Sequence, residues 1–178
     1  PGERVAGRTC PLAAAEQVAA VFIFDPVLLR SPYVGEKRLA FLHQGLAALD
    51  AALRARGGML ILRHGEPVAE LQRLLAETGA QDIFAAADFS PYARQRDAAA
   101  SAQLPVRWRG LPVVYPPETV LKPDGAPYTV FTPFSRRWKS LPPPASPLPA
   151  PGAIPAPSGL HSAPLPPVPV LEALLAFP

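Results

Sequence analysis

Short apolar runs alternate with amphipathic stretches along most of the chain. Residues 18–24 are almost entirely apolar and are followed by Asp25 and Pro26, a pattern that predicts a buried strand stopped by proline. Similar runs at 59–62 and 82–87 predict two further strands, and residues 113–114 predict a fourth. Because these runs do not alternate between apolar and polar positions, we expect the strands to be covered on both faces.

The stretches between the predicted strands have the periodicity of helices. Leucines recur at steps of three and four between residues 36 and 56, which predicts a five-turn helix that Gly57 and Gly58 terminate. Pro67 and Pro91 stand where two further helices would begin. Strands that alternate with helices predict an α/β fold with a doubly wound parallel sheet. The apolar stripe of the long helix consists of Leu39, Leu42, Leu46, Leu49 and Leu53.

The end of the chain has a different composition. Half of the 26 prolines lie in residues 142–178, and no charged residue occurs between 142 and 169. Such a segment favours polyproline II geometry, as a linker or an extended wrapping segment or, alternatively, as a ligand for a proline-recognising domain. Residues 170–177 return to a helix-like composition, which indicates the start of a further element. We therefore expect one α/β domain at 11–141, after a divergent N-terminus at 1–10.

The composition excludes several classes of protein. With 49% hydrophobic and 17% charged residues, the chain can bury a core and is not disordered as a whole. Its apolar runs are too short for a membrane-spanning helix. Cys10 is the only cysteine, which excludes a disulfide framework and a cysteine zinc cluster and favours a cytoplasmic location.

Net charge and the absence of certain motifs bear on three further kinds of site. The net charge of +3 is too small to indicate nucleic-acid binding by itself. The three histidines, His43, His64 and His161, lack the spacing of metal ligands, so no metal site is expected. No nucleophile–base pair can be identified either, and we expect no catalytic residue in this chain.

Three segments carry a family resemblance. They read VFIFDP at 21–26, DFSPYARQRD at 88–97 and GAPYTVFTPFSRRW at 125–138. Together with the long helix, they resemble the N-terminal α/β domain of DNA photolyases and cryptochromes. The resemblance spans roughly residues 11–141, and PYTVFTPF is its most specific part.

The resemblance implies a function for the whole family. Full-length members bind FAD in a C-terminal helical domain, where light-driven electron transfer splits cyclobutane pyrimidine dimers in damaged DNA. The N-terminal domain packs against that helical domain, and in many members it holds an antenna chromophore: a folate, a deazaflavin or FMN. This chain departs from the pattern because the family's first strand has no counterpart at 1–10 and the FAD domain is missing. We expect a gap in the middle of the sheet, and a chain that cannot repair DNA alone.

The resemblance and the fold together suggest where an antenna would bind. Open α/β sheets bind ligands at the carboxyl ends of their strands. Lys37 and Arg38, in the first turn of the long helix, could contact a phosphate or an acidic tail, or could simply be solvated. Phe24 and Phe41 could stack on a planar ring, or could be core residues. Asp25 is equally suited to a turn. The candidate residues are Phe24, Asp25, Leu29, Lys37, Arg38, Phe41 and Asp88.

The resemblance also bears on the identity of the chromophore. Folate-binding members resemble one another in an Asn-Glu pair on the helix after the third strand, where this chain has Tyr92 and Ala93. A folate is therefore less expected than FMN or a deazaflavin, and an empty site remains an alternative.

Two charged clusters could face the missing domain or DNA. One contains Arg94, Arg96 and Asp97, and its two arginines around a carboxylate suit an interdomain ion-pair network. The other contains Arg136, Arg137 and Trp138, which could contact DNA phosphates or dock a helix on its own or the next domain.

The leading hypothesis is the antenna and structural domain of a light-dependent photolyase. The alternative is a non-enzymatic module: a flavin-binding or interaction domain, or a fragment of a cryptochrome-type blue-light receptor.

Overall fold

The computed structural model describes residues 15–110, 112–144, 146 and 149–166. The divergent N-terminus at 1–10, Cys10 and the helix-like stretch at 170–177 lie outside these residues. The chain divides into two compact units. Unit 1 contains residues 1–80 and 148–178, and unit 2 contains residues 81–147.

Unit 1 is built on two parallel strands. Strand β1 (Ala20–Phe24) pairs with β2 (Leu60–His64) in parallel, with Ala20 opposite Leu60 and Phe24 opposite His64. Between them run a short helix α1 (Pro26–Leu29) and the long helix α2 (Glu36–Arg54), and helix α3 (Pro67–Thr78) follows β2. This βαβ arrangement is the one that the alternating pattern of the sequence predicts.

Local sequence sets the ends of these helices. The Asp25 carboxylate accepts a hydrogen bond from the backbone N–H of Val27 at 2.8 Å, and Pro26 follows it in the first turn of α1. The Glu66 carboxylate likewise accepts from Val68 and Ala69 at the start of α3. Helix α3 ends at Gly79, whose φ of +66° is readily accessible only to glycine.

The core of unit 1 lies between α2 and the strands. Phe24, Leu46, Leu60 and Leu62 form a buried cluster, and Ile61 is fully buried at 0% exposure. The predicted leucine stripe is largely turned inward, but Leu49 is 48% exposed. In its place Asp50 faces the strand and accepts a hydrogen bond from the backbone N–H of Leu60 at 2.9 Å.

The proline-rich segment wraps onto unit 1. Residues 149–166 of this segment contain no helix or strand. Ile154 is buried, and its backbone N–H donates to the Arg56 carbonyl at 2.8 Å. Further along, the Leu62 N–H donates to the Ser162 hydroxyl and the Leu62 carbonyl accepts from the Ala163 N–H. The segment therefore occupies the edge of β2 that does not face β1.

Unit 2 contains a second parallel pair. Strand β3 (Ile83–Ala85) pairs with β4 (Val106–Trp108), and helix α4 (Pro91–Gln103) connects them. A 3-10 turn (Pro117–Thr119) and helix α5 (Phe131–Lys139) follow.

The fourth strand was predicted in the wrong place. It lies at Val106–Trp108, and Val113 and Val114 are exposed in a bend. The prolines that flank the two valines explain the error, because proline lacks the N–H that a strand ladder requires.

The α/β class with parallel strands is confirmed. Within the described residues the four strands form two separate pairs, β1–β2 and β3–β4, and not one continuous sheet. The expected gap at the position of the family's first strand stays a prediction. In the part of the chain that the structure describes, no helix is both long and apolar enough to cross a membrane.

Candidate functional site

The carboxyl ends of β1 and β2 bring an aromatic pair together. Phe24 and His64 are the last residues of the two strands and lie opposite each other, with ring centroids 4.5 Å apart and planes at 14°. Phe24 is buried at 2% exposure, whereas His64 is exposed. Phe24 therefore lies in the core, which was the alternative to stacking on a ligand. His64 is the aromatic residue of this pair that reaches solvent.

Helix α2 adds a second histidine to this pair. The His43 ring meets Phe24 edge-on, with centroids 6.0 Å apart and planes at 78°. The Nδ1 atom of His43 is buried without a hydrogen-bond partner among the described residues. Sequence reasoning missed both histidines. The position of His64 could have been predicted from parallel pairing, because Phe24 and His64 are the last residues of two neighbouring strands.

Asp25 and Leu29 lie directly after β1. Asp25 is 5% exposed, and its carboxylate caps α1 as described above. Leu29, at the end of that helix, is half-buried and packs against the core cluster. Asp25 thus has the turn role that the sequence left open, and it places a buried carboxylate at the carboxyl edge of the sheet.

The start of α2 places two cations at a helix N-terminus that no side chain caps. Gly35 is the N-cap residue and has no side chain that could accept from the first N–H groups of α2, although its carbonyl accepts from Arg38 and Leu39. Lys37 and Arg38 are both exposed there, and the Arg38 Nη1 donates to the Tyr33 carbonyl at 3.0 Å. Phe41, one turn later, is 74% exposed and is not a core residue. This corner has the charge and the aromatic surface to bind a planar anion.

The turn between β2 and α3 is tightly built. Gly65 has a φ of +151°, and a Cβ at this position would lie 2.7 Å from the Oε1 atom of Glu70. Glu70 is 6% exposed and is paired with Arg73. Any side chain at position 65 would therefore displace a buried carboxylate beside the candidate site.

Asp88 belongs to unit 2, where it organises a loop after β3. Its carboxylate accepts hydrogen bonds from the backbone N–H groups of Ser90 and Phe89, and these bonds hold the pKa of Asp88 below its ordinary value. It lines an open depression of about 270 Å³ at this end of unit 2. The polar and aromatic residues of its lining are Asp88, Arg94, Asp97, Ser101 and Trp108.

The first charged cluster is partly paired. Arg96 donates to the Oδ1 atom of Asp97 through Nε at 2.9 Å and through Nη2 at 2.7 Å. Arg94 is exposed and borders the depression just described. Asp97 belongs both to the ion pair with Arg96 and to the lining of the depression. The cluster is therefore an ion pair with one adjacent exposed arginine.

The second cluster lies on α5. Trp138 packs edge-on against Tyr115, with ring centroids 5.3 Å apart, and the Tyr115 hydroxyl donates to the Pro142 carbonyl at 2.7 Å. Arg136 and Arg137 are exposed in the last turn of the helix. The structure thus anchors Trp138 to its own unit and leaves the two arginines at the surface.

The described residues contain no group of three or more His, Cys, Asp or Glu side chains that could hold a metal ion.

The comparison with family models decides where this chain belongs. The model described as DNA photolyase matches residues 6–152, which is most of the chain. The chain belongs to the DNA photolyase family.

Individual relatives agree with this membership. The chain is 37% identical over 162 residues to a deoxyribodipyrimidine photo-lyase of Streptomyces griseus, covering 87% of this chain and 35% of that protein. It is 31% identical over 167 residues to a cryptochrome DASH of Natronomonas pharaonis, covering 88% of this chain and 35% of that protein. These two photolyase-family relatives therefore extend to nearly three times the length that this chain matches.

The fold also matches a solved member of the photolyase family. The crystal structure of a class III photolyase from Agrobacterium tumefaciens superimposes with a TM-score of 0.73 at 26% sequence identity. The match covers 92% of this chain and 33% of that one.

Proposed function

We propose that this chain is the antenna and structural domain of a light-dependent DNA photolyase, with its chromophore at the carboxyl edge of β1–β2. The observation that carries the proposal is the start of α2. There the exposed Lys37 and Arg38 stand at a helix N-terminus without a side-chain cap, beside the exposed ring of Phe41. Two exposed cations in the first turn of α2 favour a phosphate or an acidic tail, and Phe41 offers a surface to a planar ring.

The residues of this edge fit FMN or a deazaflavin. A bound antenna would absorb near-ultraviolet to blue light and pass the excitation energy to the flavin of the longer protein. Lys37 and Arg38 would hold its anionic group, while His64 and Phe41 would flank its ring system. Leu29 and the buried Asp25 would form the base of the site. Asp88, in the other unit, stays a predicted contact.

A folate fits less well. Its expected Asn-Glu pair is replaced by Tyr92 and Ala93, and Ala93 is buried at 2% exposure. A buried methyl group cannot supply the hydrogen bonds of a carboxylate.

The longer polypeptide would carry the repair reaction. We propose that FAD binds in a helical region of the longer protein and that damaged DNA is bound through that region. The supporting observation is that the photolyase from Streptomyces griseus extends far beyond the part that this chain matches. The chain alone is expected to leave pyrimidine dimers intact under blue light.

A second function remains open because one relative is a cryptochrome DASH. In that case the same edge would bind its chromophore in a blue-light receptor or another non-enzymatic module. Dimer repair by the longer protein favours the photolyase, and light-dependent spectral change without repair favours the receptor.

Flavin titration tests the antenna site directly. FMN, riboflavin and an 8-hydroxy-5-deazaflavin with an acidic tail are titrated into the purified chain, and quenching of flavin fluorescence gives each Kd. In a Lys37→Gln/Arg38→Gln variant we expect the Kd for FMN to rise at least about tenfold, because two charge-assisted contacts to the phosphate are lost. Riboflavin has no phosphate, and its Kd should not change.

Arg56→Gln is the matched control, because Arg56 lies just beyond the opposite end of α2 and donates to the Ala52 carbonyl. The control should bind FMN like the unmodified chain. The proposal is wrong if neither FMN nor the deazaflavin binds, or if the double variant binds FMN as tightly as the unmodified chain.

A further inference from the structure

The outer edge of β2, on the side away from β1, is bonded by side chains and by the proline-rich segment. Leu60 donates its backbone N–H to the Asp50 carboxylate at 2.9 Å. Leu62 donates its N–H to the Ser162 hydroxyl at 3.0 Å, and the Leu62 carbonyl accepts from the Ala163 N–H at 2.9 Å. Within the described residues β1 is the only strand that pairs with β2, so β2 is an edge strand of its sheet.

The proline-rich segment bonds this edge without extending the sheet. The Ser162 hydroxyl donates to the Ala163 carbonyl at 3.1 Å, so this carbonyl already has a partner within the segment. Pro164 follows directly and has no N–H to donate. The segment therefore satisfies Leu62 but offers no regular row of donors and acceptors to which a further strand could add.

The segment is held on unit 1 at separate anchor points. At one of them, Ile154 is 8% exposed and donates its N–H to the Arg56 carbonyl at 2.8 Å, and the Pro155 carbonyl accepts from the Val18 N–H at 2.8 Å. The pair of bonds to Leu62 is another. A cavity of about 270 Å³ remains beside the edge, lined by Leu46, Asp50, Arg54, Leu60, Leu62 and residues 162–165. Because atoms that line a cavity lack packing partners on one side, the segment can be displaced more easily than a closely packed strand.

The strand beneath the segment is apolar. Leu60, Ile61 and Leu62 are 5%, 0% and 5% exposed, and β2 contains no proline. An uncovered apolar edge strand exposes unpaired N–H and C=O groups, and these are a template for pairing with another chain. Displacement of the segment would therefore expose a surface on which a strand can add.

A second copy of this chain is complementary to that surface. Leu62 is the middle residue of the five-residue strand β2, and both its N–H and its carbonyl point to the outer edge. If two β2 strands lie antiparallel about Leu62, each Leu62 can donate to and accept from the other, as in a hydrogen-bonded pair of an antiparallel ladder. This arrangement has two-fold symmetry, so both copies use the same surface.

We propose that Asp50, Ser162 and Ala163 block the outer edge of β2, and that displacement of the proline-rich segment lets this edge pair with β2 of a second copy. The segment thus keeps the chain monomeric by occupying Leu62. This inference concerns association alone and does not depend on a bound chromophore.

Light scattering coupled to size-exclusion chromatography tests the proposal on the full 178-residue chain. The Ser162→Ala/Ala163→Pro variant lacks the acceptor and the donor that engage Leu62. We expect it to dimerise at concentrations at least about tenfold lower than the unmodified chain does. The matched control is Ser158→Ala/Ala150→Pro, which makes the same two substitutions at exposed positions of the segment and should behave like the unmodified chain.

Hydrogen exchange locates the contact. In dilute solution, amides of residues 60–64 should exchange faster in the Ser162→Ala/Ala163→Pro variant than in the unmodified chain. Raising the concentration of the variant should slow them again at least about tenfold, because the second copy then covers the edge. The control variant should show neither change.

A second variant displaces the segment without changing the residues that bond Leu62. Ile154→Ala removes the buried side chain of the other anchor point and should promote the same association. Circular dichroism establishes which variants are folded. If the Ser162→Ala/Ala163→Pro variant is unfolded, association of Ile154→Ala decides the proposal.

Four outcomes overturn the proposal. The folded variants remain monomeric wherever the control does, or the control dimerises as readily as they do. Association leaves residues 60–64 unprotected, which would assign it to another surface. Association protects residues 149–166 together with 60–64, which would mean that two copies exchange their proline-rich segments and that their β2 strands do not pair.

Discussion

The two units bury their apolar residues to very different extents. Unit 1 contains the buried cluster of Phe24, Leu46, Leu60 and Leu62, with Ile61 completely enclosed. The buried apolar residues described in unit 2 are Ala93 and Ala100 with Leu104 and Val120, while Val114 and Phe131 are 53% and 77% exposed.

The difference follows from how completely other segments cover each strand pair. Strand β2 is covered by α2 and is bordered by the proline-rich segment. Strand β3 has only three residues, and its central Phe84 is 43% exposed. Parallel strands need cover on both faces. The strand pair of unit 1 is therefore more completely enclosed than the strand pair of unit 2.

Replacing Ile61, the most buried large side chain of unit 1, should lower the free energy of unfolding more than any other change considered. Ile61→Ala should lower the free energy of unfolding by about 3 kcal/mol, because it leaves a cavity in the core of unit 1. Val114→Ala is the control in unit 2, where Val114 is 53% exposed, and should change it by less than about 0.5 kcal/mol. Urea unfolding gives both values. Equal effects would mean that unit 1 has no better core than unit 2.

The proline-rich segment should make the next largest contribution to the free energy of unfolding. Ile154 is 8% exposed and its Cγ2 lies 3.5 Å from where a Cβ on Gly58 would be. Ile154→Ala should cost about 2 kcal/mol and speed hydrogen exchange of the β1–β2 amides. Ser158→Ala, at an exposed position of the same segment, should do neither. If Ile154→Ala matches this control, the segment is a passive linker.

Asp50 should make a smaller, pH-dependent contribution to the free energy of unfolding. Partial burial acts to raise its pKa, but hydrogen bonds from Arg54 and from the Leu60 N–H, with the charge of Arg54, outweigh burial and hold the pKa below its ordinary value. A lowered pKa in the folded state means that this stability is present above the unfolded pKa of about 3.9 and is lost as pH falls through the folded value. Below that value the contribution is gone.

The Asp50→Asn variant should remove this dependence. We expect it to cost about 1 kcal/mol at pH 7 and to flatten the loss of stability of unit 1 below about pH 4, measured by urea unfolding. Asp124→Asn, an exposed position of unit 2, is the control. An acid slope that is unchanged in Asp50→Asn would contradict this assignment.

Much of the fold could be predicted from local patterns. The apolar run before Asp25-Pro26, the leucine repeat of α2 and the helix start at Pro67 all correspond to observed elements. The misplaced fourth strand shows the limit of this reasoning. Val113 and Val114 have the composition of a strand, but the pairing of residue 83 with residue 106 is a long-range contact that composition does not contain.

The candidate site was less predictable. Lys37 and Arg38 lie in the first turn of a helix, as predicted, because helix starts have local signals. Phe24 and Phe41 have the same chemistry, yet one is 2% and the other 74% exposed. Which ring is enclosed depends on the direction of a helix face relative to the strands.

The sequence by itself determined the family, the α/β class and the order of most elements, because motifs, hydrophobic periodicity and proline and glycine positions act over a few residues. Only the tertiary structure decided that the rings of His43 and His64 lie against Phe24, that Ile154 is buried and that Phe131 is 77% exposed. The physical reason is that the burial of a side chain depends on which distant segments pack against it. The residues next to it in the sequence do not specify those segments.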